Sequence, residues 1–474
     1  MYLRQVFCLL LVSAITVAII FCHLRGNPLI VFTEGQPPHR VHHHTRGGGS
    51  SLLRHNDTPP TGDATTDYPV ARLKKILILT NIRYPRPWIG VDTSTTSWSF
   101  LQEYQGGGAG DGVYHRGQMN CPVTNYNYSI ELTFSPDYPQ QMADKDAVIL
   151  INNEYNKKML FQPPDDQLVV FFGTETPMAM ARWHSNSWIG DIPVHAVWSY
   201  TSGSEIHAPY GVYHRHDHAG VDYAAGIHIK TLRRQLPKPK ANLVARKGNL
   251  VAWMASNCMG TTQWPRLAFV NKLRQHVAVD VYGKCGNLSC VGDPNNRFEL
   301  SNSCTAVLSS YKFYLSLENA ECDDYITEKL WQNALRPGVV PIVYGARKET
   351  YLKWAPPNSF IHVGDFKSVD DLATYIKLLD SRPDLYARYF EWQLQGSAET
   401  YGYGGFKIDD LCKVIPYIER LQNGEGGIEK RPLSTFSWFN TCRIKDPRHA
   451  KLANNNNLQD WTPWGDGRGK YIIP

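Results

Sequence analysis

The stretch "FYLSLENAECDDYITEKLWQNALRPGVVPIVYG", residues 313–345, sets Glu318, Asn319, Asp324, Tyr325, Glu328 and Lys329 between two apolar runs. In "KFYLSLEN" Phe313, Leu315 and Leu317 alternate with Tyr314, Ser316 and Glu318, so Glu318 and Asn319 fall at the carboxyl end of a strand. In open α/β sheets that end faces the ligand crevice. Asp324 is a favoured N-cap for the helix predicted next. Ile326, Leu330 and Ala334 would pack that helix on a sheet, and Pro337-Gly338 would stop it. Tyr325, Glu328 and Lys329 occupy its first turn on other faces. A helix N-terminus with a lysine can hold an anionic phosphate. A carboxylate and an asparagine beside it can take ribose hydroxyls or a base edge. The residue types therefore point to a nucleotide pocket built without a glycine-rich loop. On spacing alone they would serve equally to cap and solvate a loop.

Such a pocket needs sheets to position it. Apolar runs at residues 74–81, 146–152, 167–175 and 194–200 each read as a buried parallel strand bounded by polar or turn residues. Five more follow at 249–256, 277–283, 312–318, 339–345 and 359–363, with the helical patterns "RLAFVNKLRQ", "YITEKLWQNAL" and "SVDDLATYIKLLDS" between them. Strand, helix, strand, met in both halves, predicts an α/β class with two such layers. The connector "KPKANLVARKG" near residue 240 divides them.

The chain has 474 residues, 42% apolar and 19% charged, enough for two ordinary domains and against global disorder. A formal charge of +6 is modest for this length and does not argue for nucleic acid. Residues 6–22, "VFCLLLVSAITVAIIFC", carry no charge or proline and are long enough as a helix to cross a thin bilayer. A cleaved signal peptide would have a shorter apolar run and a small-residue cleavage site, which "HLRGNPL" fits poorly. The stretch that follows is rich in Gly, Pro, Ser, Thr and His without apolar period and reads as a solvated linker. Asn-x-Ser/Thr sites at Asn56, Asn127 and Asn287, and an even set of cysteines beyond the apolar run (Cys121, Cys258, Cys285, Cys290, Cys304, Cys322, Cys412 and Cys442), suit an oxidising lumen. "CGNLSC" with Cys304 spells part of a zinc site, but neither His-x-His nor a second cysteine pair completes it. "DKD", Asp144 to Asp146, precedes an apolar strand and so lies at the wrong end of a sheet for a catalytic metal. No dedicated metal site is expected.

The stretch at 313–345 resembles the signature of the glycosyltransferase family 10 fucosyltransferases: Glu318-Asn319, then "YITEK" (Tyr325 to Lys329), a helix, and "PIVYG". The resemblance runs over roughly residues 74–395, thin at first and dense from Gly248 onward. It implies a GT-B fold, two Rossmann-like domains facing a central cleft. The implied divisions are a tail and anchor at 1–24, a stem at 25–73, an acceptor domain at 74–240, a GDP-fucose domain at 241–400 and an extension at 401–474. "AWMASNCMGTTQWPRL" resembles the family's "SNC…R" segment, which carries over Asn257 and Arg266. Arg266 and Lys329 would neutralise the diphosphate, and Tyr325 and Glu328 would touch the nucleoside. A sugar hydroxyl is a weak nucleophile and needs a general base. The family's glutamate at a strand end before proline matches Glu175 in "VVFFGTETP". No cofactor is implied, and stimulation by a divalent cation stays compatible. The expected protein is a single-pass type II Golgi membrane protein with a luminal α1,3-fucosyltransferase domain. It would act by inversion on a GlcNAc of glycoprotein N-glycans, and the innermost one by likeness to the invertebrate and plant branch. The alternatives are Lewis-type transfer to lactosamine and a Golgi homologue that binds nucleotide sugar or glycan without turnover. The chain departs from the family's Tyr-Arg-Arg-Asp-Ser-Asp pattern at Thr201, Ser202 and Gly203, which bears on acceptor choice and on activity itself. The tail's Trp438, Trp461 and Trp464 would either stack on sugars or serve as structural aromatics.

Overall fold

The computed structural model describes residues 7–12, 18–24, 27–32, 72–79, 113–121, 126–135, 144–151, 163–183, 189–215, 221–222, 227–228, 248–258, 262–290, 300–401, 408–443, 457–459 and 461–464. The chain divides into two units, Met1–Tyr68 and Pro69–Pro474. In the first, Phe7–Val12, Ala18–Leu24 and Asn27–Phe32 pair as an antiparallel sheet. The described residues of the run expected to form a spanning helix lie in the strands Phe7–Val12 and Ala18–Leu24. Val, Ile and Phe favour strand backbone, and an uncharged run satisfies either form. Among the described residues no helix is long and apolar enough to cross a membrane.

The second unit holds two main sheets. The first has seven strands, ordered Ile206–His207, Ala196–Ser199, Leu168–Gly173, Ala147–Ile151, Arg72–Leu79, Tyr126–Ser135 and Val113–Cys121. All pairs are parallel except the last. The second sheet is wholly parallel, ordered Val279–Tyr282, Asn249–Met254, Tyr311–Leu317, Val340–Tyr344 and Ile361–His362. Every residue of Ala147–Ile151, Leu168–Gly173 and Val340–Tyr344 is buried, as strands covered on both faces require. The antiparallel edge at 113–121 and its neighbour were missed by the sequence reading. The alternation of Tyr126, Tyr128, Ile130, Leu132 and Phe134 was the available signal.

Residues 408–443 return to the first sheet. Leu411, Val414, Ile415 and Ile418 are buried against Ile76, Ile78, Ile149 and Val170 on one face. Leu433, Phe436 and Trp438 join the core on the other face. Residues 408–443, within the stretch delimited as an extension, therefore pack into the first sheet's core. The connector "KPKANLVARKG" near residue 240, where the domain boundary was expected, lies outside the described residues but for Gly248.

Candidate active site

Glu318 ends the Tyr311–Leu317 strand and is 1% exposed. Its Oε1 accepts from the backbone N–H of Thr327 at 2.8 Å, and both oxygens accept from Thr327 Oγ1 at 2.9 Å. Lys329 Nζ lies 2.9 Å from Glu318 Oε2 and 3.1 Å from Glu328 Oε1. Burial opposes the ammonium, but Glu318 and Glu328 outweigh it and hold Lys329 above the ordinary lysine range. Burial pushes the Glu318 carboxyl up while Lys329 draws it back down. The helix begins at Glu328, with Thr327 as its N-cap, and continues from Trp331 to Leu335 as π-helix. The N-cap expected at Asp324 is thus corrected: that residue has φ 61°, a left-handed turn conformation, and points elsewhere. The Thr327 N–H, which the phosphate reading would have left open to a ligand, is occupied by Glu318.

Arg266 opens the helix Arg266–Leu273 and is 3% exposed. Its Nη1 donates to the carbonyl of Leu317 at 3.0 Å and its Nη2 to the carbonyl of Asn257 at 2.6 Å, while Nε is buried without a partner. Burial draws the guanidinium below its ordinary range, and Glu318 partly restores it. Arg266, Glu318, Glu328 and Lys329 form one cluster in which two positive and two negative charges balance. Trp264 donates to the Glu318 carbonyl at 2.9 Å and the Gln263 N–H to that of Asn319 at 2.8 Å. Asn319 Oδ1 and both amide atoms of Gln263 are buried without partners. Gln263 was missed by the sequence reading, which had no repeat or charge pattern to single it out.

Across from this cluster Glu175 follows the Leu168–Gly173 strand and precedes the helix Pro177–Trp183. It is 4% exposed, and its Oε2 accepts from Tyr325 Oη at 2.7 Å. Tyr325 packs edge-to-face on Tyr200 (5.0 Å) and Tyr210 (6.4 Å). Trp438 Nε1 donates to the Glu175 carbonyl at 3.2 Å, and Tyr210 Oη to the Thr174 carbonyl at 2.6 Å. Trp438 is fully buried, and the partly buried Trp461 stacks on Trp264 at 5.2 Å. Trp464 lies against the guanidinium of Arg347.

The divergent segment is knitted into the same neighbourhood. Asp324 Oδ2 accepts from the N–H and hydroxyl of Ser202 at 2.8 and 2.7 Å, and Oδ1 from Trp354 Nε1 at 2.8 Å. Thr201 shares hydroxyl bonds with Ser199 and Ser204. A Cβ on Gly203 would lie 2.8 Å from Ser437 Oγ, so a large side chain has no room there. Asp144 sits at the strand entry with Lys75 and Lys145, and Asp146 with the Lys75 N–H and Gln422. Disulfides join Cys258–Cys285, Cys290–Cys304 and Cys322–Cys442, and Cys412 is also disulfide-bonded, so the cysteines of "CGNLSC" are not metal ligands. Asn287 is exposed in a turn, and Asn127 lies on the Tyr126–Ser135 strand. Asn56 falls outside the described residues.

These features define an α/β protein with two largely parallel sheets, in which Glu175, after a strand of the first, meets Tyr325, on the segment that follows a strand of the second. Residues 244–426 match the family model described as "Glycosyltransferase family 10 (fucosyltransferase) C-term". It is 34% identical over 241 residues to "Alpha-(1,3)-fucosyltransferase 4" of Homo sapiens, covering 51% of this chain and 40% of the relative. It is 32% identical over 281 residues to "Glycoprotein 3-alpha-L-fucosyltransferase A" of Drosophila melanogaster, covering 59% of this chain and 49% of the relative. The chain thus spans half or less of these two relatives' lengths. A solved structure titled "Crystal Structure of alpha1,3-Fucosyltransferase" overlays 77% of this chain and 94% of its own, at 17% identity and TM-score 0.41.

Proposed function

We propose that the chain is an inverting, GDP-fucose-dependent α1,3-fucosyltransferase of GT-B architecture, acting on a GlcNAc of glycoprotein N-glycans. The observation that carries this is the 2.7 Å bond between Glu175 of the first sheet and Tyr325 of the second. It sets a carboxylate against the segment whose pattern resembles the family's donor side. Glu175 takes the proton of the acceptor hydroxyl as that oxygen attacks the anomeric carbon and the carbon–phosphate oxygen bond breaks. The leaving diphosphate gains charge, and Lys329, 17% exposed at its side chain, is the cation within reach. Arg266, whose terminal nitrogens hold two backbone carbonyls, braces the Asn257 segment and adds its field. Asn319 and Gln263, with buried unpartnered amide atoms, are donor-side candidates for nucleoside contacts beside Glu328. The glycoprotein acceptor is supported by the name of the Drosophila relative. The Asn-x-Ser/Thr sites and the disulfides support a Golgi-lumen enzyme.

The purified full-length chain is incubated with GDP-fucose and a panel of N-glycan core glycopeptides and lactosamine, and products are read by mass spectrometry. A mass gain of one deoxyhexose on the glycopeptide core is expected. Gain on lactosamine alone replaces the acceptor with a Lewis-type one. GDP binding without gain on any acceptor removes the enzyme reading. Glu175→Gln is expected to lower kcat by at least about a hundredfold while GDP still binds. Normal turnover by that variant would remove Glu175 as the base.

A further inference from the structure

We propose that Tyr325 is a positioning residue for Glu175, orienting its carboxylate, and that the Asp324–Ser202 bonds hold Tyr325 in that role. The inference rests on the reading of Glu175 as general base. The family resemblance implies that this tyrosine belongs with the nucleoside. Here its hydroxyl is instead given to a carboxylate of the opposite sheet at 2.7 Å. Both ends of that bond are fixed. On the tyrosine side the ring is 2% exposed and boxed by Tyr200 and Tyr210. Its N–H bonds the carbonyl of Cys322, which a disulfide ties to Cys442. The preceding residue, Asp324, takes two bonds from Ser202 and one from Trp354. On the glutamate side Trp438 and Tyr210 hold the carbonyls of Glu175 and Thr174.

A base must hold its oxygen in line with the reacting carbon, and small misplacements are costly because the reaction depends on near-attack geometry. A buried carboxylate has several torsions to fix, and a directed O–H donor fixes the last of them. Ser202 is one of the residues at which the chain departs from its family pattern. Its small side chain lets the backbone N–H and the hydroxyl reach the same Asp324 oxygen. The departure therefore has a local use in this chain.

The test compares the full-length protein with Tyr325→Phe and Ser202→Ala, using GDP-fucose and the acceptor that the panel above identifies. Tyr325→Phe keeps the ring and removes only the hydroxyl. Its kcat is expected to fall by about tenfold to a hundredfold. The KM for GDP-fucose should stay within about twofold, since the loss is confined to the transition state. Ser202→Ala should lower kcat by about threefold at an unaltered thermal midpoint, with the same KM pattern. Unchanged kcat in Tyr325→Phe overturns the proposal, as does a raised KM with kcat intact, which would make Tyr325 a donor ligand only. If Tyr325→Phe does not fold, Ser202→Ala decides alone: a kcat loss at constant KM supports the proposal and full kcat overturns it. Glu175→Gln separates this from the broader reading. If that variant is inactive and Tyr325→Phe is normal, positioning alone fails. If Glu175→Gln is active, the base assignment fails and the positioning inference fails with it.

Discussion

Gly345 shows how narrowly single residues fit beside Glu318. It closes the Val340–Tyr344 strand at φ +147°, and a Cβ built there would stand 2.5 Å from the Cβ of Glu318. An alanine would carry both backbone strain and a clash with the carboxylate that caps Thr327 and pairs with Lys329. Gly345→Ala is expected to cost about 2–4 kcal/mol in denaturant unfolding. A loss under about 0.5 kcal/mol would mean Glu318 can shift freely. Glu318 itself was legible in the sequence as a strand-end carboxylate, because alternation fixes which residues a strand presents. Its partner was not, because a carboxylate on a loop can meet a ligand, a lysine or a backbone N–H equally well.

Strand packing sets a pH dependence. His195 precedes the Ala196–Ser199 strand, and its Nδ1 accepts from the Val169 N–H at 2.9 Å. His362 ends the edge strand, and its Nδ1 accepts from the Gly364 N–H at 3.1 Å. Both bonds need a neutral ring nitrogen. Burial, with Lys430 for His195 and Lys348 for His362, lowers each to about 4. The unfolded chain binds these protons near pH 6.5, before the folded chain does. Stability from the two histidines is therefore complete above that pH and is lost as pH falls toward 4. The thermal midpoint should decline across that window, and His362→Gln should make the decline shallower. An identical slope in the variant would remove His362 from the cause. Residues 331–335 carry a different lesson at this scale. Their apolar spacing predicted helix, but not that it would be π-helix packed with Trp331 against Gly211, where a Cβ would lie 2.4 Å from the ring.

At the scale of the molecule, the tail closes the first sheet. Tyr128 Oη donates to Glu419 at 2.9 Å and Lys74 Nζ to Gln422 at 2.8 Å, above buried Leu411, Val414, Ile415 and Ile418. Burial of each such side chain contributes roughly 1.5–3 kcal/mol, and the four together rival the net stability of a typical domain. A chain ending at residue 407 is therefore expected to lack a cooperative thermal transition and to aggregate. A soluble truncated protein with a sharp transition would show that residues 408–443 are dispensable to the sheet.

The sequence by itself determined the main parallel strands of both sheets, the helices between those of the second sheet, the α/β class and the segment that carries the family pattern. Each of these follows from periods of two and 3.6 residues or from a contiguous run of side-chain types. Only the tertiary structure decided that Tyr325 meets Glu175, that Ser202 meets Asp324, and that the tail belongs to the first sheet. Those pairings span 150 and 122 residues in the first two cases. No local pattern encodes a contact at such separations, because the partners are chosen by how two sheets pack and not by the residues beside them in the chain.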